Sequence, residues 1–497
     1  MPRFGLLLLL LLLAALCPPA PARQNPASIA VVGGGIGGAA TAYFLRRRFG
    51  PAVRLQLMEK AAPGGRLATE QLHGQAYEAG GSVIHPLNLH MKHFVQQLGL
   101  SPVPLPGSLL GIYDGKELVF EQSSWYLINL LKLLWHYGFN GLRRYLWVED
   151  IVDRFMRIYR YQAHDYAFSS NERLLHALGG DDFTLLLNQS IDEAMQRAGF
   201  SQKYIDQMAS PIMRINYGQG VNINGFVGVI SLAWMDSGLW SVKGGNKLVC
   251  SGLLSASKAE VIPGTVLSIE PKVRPGPRGD PVKLYQVTYS TGSEVTGDTY
   301  DMVFIAAPLG PDLANISFKN FEPPIRQLPN LYHQTITTLV HGRLNTSFFG
   351  YPEPATFPFG DIFTMDKPNL FFSSVGKVSS VQGVSAEAEL PSQLATWRVF
   401  SNEVLTEEQL NLLFSSYDSV KVKQWLAYPE YRPPEECPPI LLHDHIYYVS
   451  GIERAASAME FNAIAAKNAA LLGYHRWHGN GHRIDQEGLH EKLKAEL

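Results

Sequence analysis

The sequence predicts an α/β protein, and three observations predict it. Ile29-Ala30-Val31-Val32 is an apolar strand, Gly33-Gly34-Gly35-Ile36-Gly37-Gly38 is a glycine-rich turn, and Ala39 to Leu45 opens a helix. A second strand, Val53 to Met58, ends in an acid, Glu59, about twenty positions past Gly38. Short buried strands return far along the chain, at Val303-Phe304-Ile305 and Ile446-Tyr447-Tyr448. Strand, G-x-G-x-x-G turn and helix N-terminus in that order make a Rossmann-type dinucleotide-binding fingerprint. Gly33 permits the tight turn, Gly35 lets the backbone approach a pyrophosphate, and Gly38 lets helix and strand pack closely. Glu59 is placed to meet a ribose hydroxyl pair, and the helix N–H groups face the anion.

The chain starts with Arg3, an apolar run from Leu6 to Cys17, and an Ala20-x-Ala22 cleavage pattern. These are the parts of a secretory signal peptide over residues 1–22. The run is too short for a membrane span, which needs about 20 apolar residues. No later stretch is long and apolar enough, so the expectation is a secretory-pathway protein, secreted or lysosomal, with no transmembrane span. The 497 residues can bury a large core in two domains or one elaborate one. A net charge of −2 gives no reason to expect nucleic acid. Of three cysteines, Cys17 leaves with the leader; Cys250 and Cys437 either pair or stay as buried thiols, and there is no C-x-x-C redox pair. Sequons at Asn188, Asn315 and Asn345 are candidate glycosylation sites.

After Glu59, Gly64-Gly65-Arg66 and Gly80-Gly81 flank a short polar strand and allow close backbone approach to a ligand; Arg66 offers a planar fork suited to a phosphate oxygen. Trp125 to Trp135 reads as an apolar helix ended by Gly138. A second helix, about Leu142 to Tyr161, lines up Tyr145, Val148, Ile151, Val152, Phe155, Ile158 and Tyr159, with Asp150/Arg154 and Asp153/Arg157 at i, i+4 on the other side. Such a pair of helices is either core, a wall for a long hydrocarbon ligand, or a membrane-facing surface. Lys243 to Asn246 opens another helix, Val261 to Ile269 is turn and strand, and Gln334 to Phe400 alternates like an antiparallel sheet. Near the end, Ile446 to Glu453 is a strand running into a turn, and Ala455 to Leu472 is an alanine-rich helix. The organisation predicted is a nucleotide-binding domain built from residues 27–85, 232–316 and 436–475. It is interleaved with an α+β substrate domain from a helical region, 86–231, and a strand-rich region, 317–435, and followed by a tail, 476–497.

Gly33 to Gly38, Glu59, Gly64-Gly65-Arg66 and Glu78-Ala79-Gly80-Gly81 together resemble the amine-oxidase-like flavoproteins. Longer strings resemble the prenylcysteine oxidase family, and in particular its prenylcysteine oxidase-like branch: Tyr77 to Lys92, Arg157 to Tyr161, Asp165 to Ser170 and Gly244 to Cys250. The resemblance implies FAD as cofactor. It places Arg66 at the FAD pyrophosphate, the backbone of Val266 by the adenine, Gly451 and Glu453 close to the flavin, and Met459-Glu460 at the start of a helix facing the ring's carbonyl edge. Phe461 and Ala466 depart from the amine-oxidase pattern, which has small glycines there. The implied activity is oxidation of the thioether of farnesyl- or geranylgeranyl-cysteine with oxygen and water. The alternatives are a flavin oxidase of another lipid-like thioether or amine, or a non-catalytic prenyl-ligand binder. A second fingerprint for a nicotinamide cofactor is absent, as are H-E-x-x-H, P-loop and G-x-S-x-G motifs. Hydride loss needs no side-chain base, so none is assigned; His85 is the one candidate, set against a structural role at the Pro86 turn.

Overall fold

The computed structural model describes residues 24–233, 238–275, 281–326, 331–383 and 394–495; the leader, residues 1–22, lies outside them. The apolar run Ser28–Val32 (β1) is buried along its whole length because helices and a second sheet cover its two faces. From β1 the chain turns into helix Ile36–Phe49 (α1) and strand Arg54–Glu59 (β2). A hairpin, Thr69–Leu72 (β3) and Gln75–Glu78 (β4), leads to helix Leu89–Gln97 (α2). Strands Leu109–Tyr113 (β5) and Leu118–Glu121 (β6) precede two consecutive helices, Tyr126–Tyr137 (α3) and Asn140–Ala163 (α4). Short helices lead to Ser210–Tyr217 (α5) and then Lys247–Ser257 (α6).

The chain re-enters the first sheet with Glu260–Pro263 (β7). It continues through Thr265–Pro275 (β8), Pro281–Thr291 (β9) and Glu294–Tyr300 (β10), and adds Met302–Ile305 (β11). The last third holds Tyr332–Leu344 (β12), Phe359–Thr364 (β13), Ser374–Lys377 (β14), Ala395–Ser401 (β15) and Phe414–Pro429 (β16). Leu441–His443 (β17), Ile446–Tyr448 (β18) and helix Met459–His478 (α7) close it.

Among the described residues the first sheet has the order β17-β18-β11-β1-β2-β7, parallel except for the edge strand β17. The strand order reverses at β1, and the glycine turn at its carboxyl end opens the crevice where such sheets bind ligands. One face carries α1, α6 and α7; β8, β9 and β10 cover the other, with Val266, Tyr285 and Val287 packed on Ala30, Val32 and Val303. A further sheet runs β16-β12-β15-β14-β13-β5-β6. Its strands from β12 to β16 pair antiparallel, in agreement with the alternation over 334–400. Residues 109–121, within a stretch read as helical, form its far edge instead, because β5 finds a partner in β13 that local sequence does not announce.

Gly138 ends α3 and α4 follows directly, as the periodicity predicts. Val148, Ile151, Phe155 and Ile158 are core, whereas Tyr145 is exposed. Arg154 pairs with both Asp150 and Asp182, but Arg157 donates to the Leu178 carbonyl rather than to Asp153. The final helix begins at Met459 rather than Ala455, because Ser450–Arg454 forms a 3₁₀ turn first. Phe461, which departs from the amine-oxidase pattern, stacks on Phe155 of α4 at 4.8 Å. Cys250 and Cys437 are free thiols; burial pushes Cys250 up to about 12.

Candidate active site

The fingerprint is wired to its neighbours through the backbone. Gly33 has φ +101, and a Cβ on it would lie 3.0 Å from the Ala307 nitrogen, so only glycine lets β1 and the end of β11 come this close. Glu59 accepts from the Gly34 N–H at 2.5 Å and the Ala61 N–H at 2.9 Å, which fixes its carboxylate beside the turn. Gly64 donates its N–H to the Gly34 carbonyl. The two glycine-rich segments therefore lie side by side. A Cβ at Gly35 would stand in ordinary contact with the Gly65 Cα at 3.8 Å and the Gly64 carbonyl at 3.9 Å, and these three glycines together border an open space.

That space is a cavity of about 2050 Å³. Pockets for a single small ligand run to roughly 300–1,000 Å³, so this one has room for a dinucleotide and a second, elongated molecule. Gly33, Gly35, Glu59, Gly64, Gly65, Arg66, Gly80, Gly81, Val266, Glu453 and Met459 all line it. The structure thus brings together residues that the sequence scatters over more than four hundred positions. A β-bulge separates Val266 from Ser268, so the ladder is interrupted where Val266 reaches the cavity. Ser457, Ala458 and Met459 present the uncapped N-terminus of α7 to the same space, where its dipole favours negative charge. Open glycine backbone, a fixed carboxylate and a helix N-terminus form a cradle that fits FAD.

Three expected site residues do not line the cavity. Gly38 packs the helix against the turn, the role its place in the fingerprint gives it: a Cβ there would sit 1.8 Å from the Gly33 carbonyl oxygen. Gly451 packs against the Pro438 carbonyl and Asn171. The Glu460 side chain turns away from the cavity to accept from the His90 and Met91 N–H groups at the start of α2 and from the Tyr159 hydroxyl; burial pushes it up to about 7. Arg66 lines the cavity, and two of its five donors are taken within the protein, Nη2 by Glu453 and Nη1 by the Ala427 carbonyl, each at 2.5 Å. Tyr332 donates to the other Glu453 oxygen, and this buried carboxylate raises the Arg66 guanidinium further above its ordinary value. His85 is buried at the Pro86 turn, where its Nδ1 accepts from the Leu87 N–H, and it does not line the cavity.

Other side chains brace this end of the cavity. Trp425 donates from its indole to the Ala79 carbonyl at 2.7 Å and holds the Gly80-Gly81 stretch against β16. Asn246 donates its N–H to Glu78 and its side-chain amide to the Gly81 carbonyl. Burial pushes Glu78 up to about 7. Beyond this polar end the cavity is apolar, lined by Leu110, Phe120, Leu133, Met208, Ile212 and Ile215. Leu133 belongs to α3, whose other side is bare: Tyr126 is 81% and Trp135 88% exposed.

Comparison with known proteins agrees with this geometry. A family model described as NAD(P)-binding Rossmann-like domain matches residues 31–98, and one described as prenylcysteine lyase matches residues 120–486. Human prenylcysteine oxidase 1 is 56% identical over 92% of this chain and 91% of that protein. Bovine prenylcysteine oxidase 1-like is 44% identical over 92% of each chain. Among solved structures, putrescine oxidase bound to putrescine matches 89% of this chain and 98% of its own with a TM-score of 0.57 at 14% identity. Cyclohexylamine oxidase from Brevibacterium oxydans matches 90% and 99% with a TM-score of 0.56, also at 14%. The structural likeness shows a shared fold, and the sequence matches show that the chain belongs to the prenylcysteine lyase family.

Proposed function

We propose that this protein is a FAD-dependent oxidase that cleaves the thioether of prenylcysteines to a prenyl aldehyde and free cysteine. The observation that carries the reading is the single cavity, glycine-lined at one end and apolar at the other, in a chain 56% identical to a prenylcysteine oxidase. Glu59, the Gly33–Gly35 backbone, Gly64-Gly65, Val266 and the α7 N-terminus would hold FAD. When bound, FAD supplies the hydride acceptor and the reoxidation by oxygen that yields hydrogen peroxide. The apolar arm holds the prenyl chain and keeps water from it. Hydride leaves the allylic carbon beside sulfur, and sulfur and the double bond share the positive charge. Water then adds to that carbon, and the hemithioacetal breaks its C–S bond. No side chain has to take a proton in the hydride step, in keeping with a cavity in which His85 has no part.

The test is the visible absorption spectrum of the purified protein, recorded anaerobically before and after farnesylcysteine is added. A flavin spectrum that bleaches is expected. Flavin that stays oxidised would redirect the reading to another thioether or amine, and a colourless folded protein would reduce it to a binding module.

The same reading extends to a lipid surface. Trp125, Tyr126, Leu131, Trp135, Phe139 and Leu142 of the α3–α4 hairpin are exposed, a patch that soluble monomers seldom leave bare. No helix among the described residues is long and apolar enough to cross a membrane. The hairpin would lie in the interface with its tryptophans at headgroup level, above a cavity wall formed by Leu133 of the same helix. We further propose removal of the leader after Ala22, delivery through the secretory pathway to a secreted or lysosomal destination, and glycans at the exposed Asn188 and Asn315. Asn345 spends its amide nitrogen on the Leu412 carbonyl. N-terminal sequencing should find Arg23 first.

A further inference from the structure

The cavity contains one charged pairing that holding a cofactor and a hydrocarbon chain does not use. Across β13, β14 and β15, Asp361, Gly376 and Arg398 stand side by side in register on the cavity wall. Asp361 and Arg398 both line the cavity. Among the described residues Arg398 makes one hydrogen bond, from Nη1 to Ser82 Oγ at 2.8 Å, and its guanidinium lies over the Phe400 ring at 4.8 Å. A guanidinium has five N–H donors in a rigid fork. The other donors make no hydrogen bond among the described residues, and Arg398 lines the cavity next to Ser82 and therefore next to the Gly80-Gly81 stretch. Asp361 is hydrogen-bonded to the Ser108 hydroxyl. A Cβ at Gly376 would lie 2.3 Å from Asp361 Oδ1, so only glycine there leaves room for the Asp361 carboxylate. No ion pair joins Asp361 and Arg398, although Arg398 feels the charge of Asp361. On the other side, Asp361 pairs in register with Leu110, where the apolar arm begins.

We propose that Arg398 and Asp361 form a subsite for an α-amino acid zwitterion, with Arg398 taking the carboxylate and Asp361 the ammonium of the cysteine moiety. The inference rests on the prenylcysteine reading for the identity of that headgroup. A half-buried cation and anion on one wall, each bonded to a hydroxyl but not to one another, both gain a counter-charge from one ligand. The registered row sets the headgroup at the boundary between the glycine-lined end and the apolar arm. A thioether carrying an amino acid on one side and a long chain on the other then has its sulfur-bearing carbon at that boundary.

The test is equilibrium binding to the flavin-loaded protein. The probes are S-dodecylcysteine, whose saturated chain cannot share the charge that hydride loss creates, its methyl ester, and its desamino analogue. Charge-assisted contacts predict that the free acid binds about 10- to 100-fold tighter than either analogue. Arg398→Gln should remove the preference over the ester and leave ester binding unchanged, and Asp361→Asn should do the same for the desamino analogue. Arg398→Lys keeps the charge and should retain part of the preference, with unchanged flavin content and Tm reporting intact folding. Equal binding of acid and ester by the unaltered protein, or a preference that survives Arg398→Gln, would overturn the subsite. Turnover of farnesylcysteine, measured separately, decides the oxidase reading, so the two stand or fall apart.

Discussion

At the scale of single residues, two fingerprint glycines carry opposite consequences. Gly35→Val adds bulk at the cavity edge, where its Cβ makes only ordinary contact with Gly65 and Gly64, so the fold should persist with little change in Tm while flavin is lost, seen as a colourless protein. Full flavin content in that variant would remove the placement of the pyrophosphate at Gly35. Gly38→Ala puts its methyl into the Gly33 carbonyl and should lower stability by about 1–3 kcal/mol, as overpacking does, read from thermal unfolding. Glu453 is the third sensitive position. Glu453→Ala leaves Arg66 without its carboxylate and should cost about 3–5 kcal/mol for a buried pair. The loss should fall toward the low end of that range, because the Arg66 side chain is 31% exposed. The fingerprint spacing distinguishes the two glycines, one approaching ligand and one packing, whereas the role of Glu453 follows from Arg66 and Tyr332, which distant segments bring to it.

At the scale of elements, Glu460 joins α7 to the N-terminus of α2 and makes that junction sensitive to pH. Burial raises it from 4.5 to about 7, so over that interval the folded chain keeps a proton that the unfolded chain has released. Its contribution is fully present below about 4.5 and is lost as pH rises through 7, on the order of 3 kcal/mol in all. Glu78, also raised to about 7, acts in the same direction. His90 opposes them: burial lowers it from 6.5 to about 3, and stability from this group rises with pH across that range. The Glu460 share is therefore read as a difference. The Tm gap between the unaltered protein and Glu460→Gln should shift against the unaltered protein between pH 4.5 and 7; a constant gap would contradict the assignment. The i, i+4 reading placed Asp150 with Arg154 correctly but missed Asp182, which only the neighbouring helix supplies.

At the scale of the whole molecule, the cavity meets the exposed face of the α3–α4 hairpin through one helix. Trp125→Ser with Trp135→Ser should leave Tm nearly unchanged, since both side chains are exposed, and should abolish co-sedimentation with phospholipid vesicles. Co-sedimentation equal to that of the unaltered chain would exclude the hairpin as the contact. The sequence by itself determined the α/β class, the β1–turn–α1–β2 unit with Glu59 at its end, and the run of strands over 334–400. Each is local: an apolar period, a glycine where backbone must approach, an acid at fixed spacing. The tertiary structure alone decided that Glu460 faces α2 rather than the cavity, that Arg66 is held by Glu453, and that β5 pairs with β13. It also decided that Asp361 and Arg398 share a wall. A charged residue in an alternating strand reads as solvent-facing, because periodicity distinguishes two faces of a sheet but cannot say which of them borders an internal cavity.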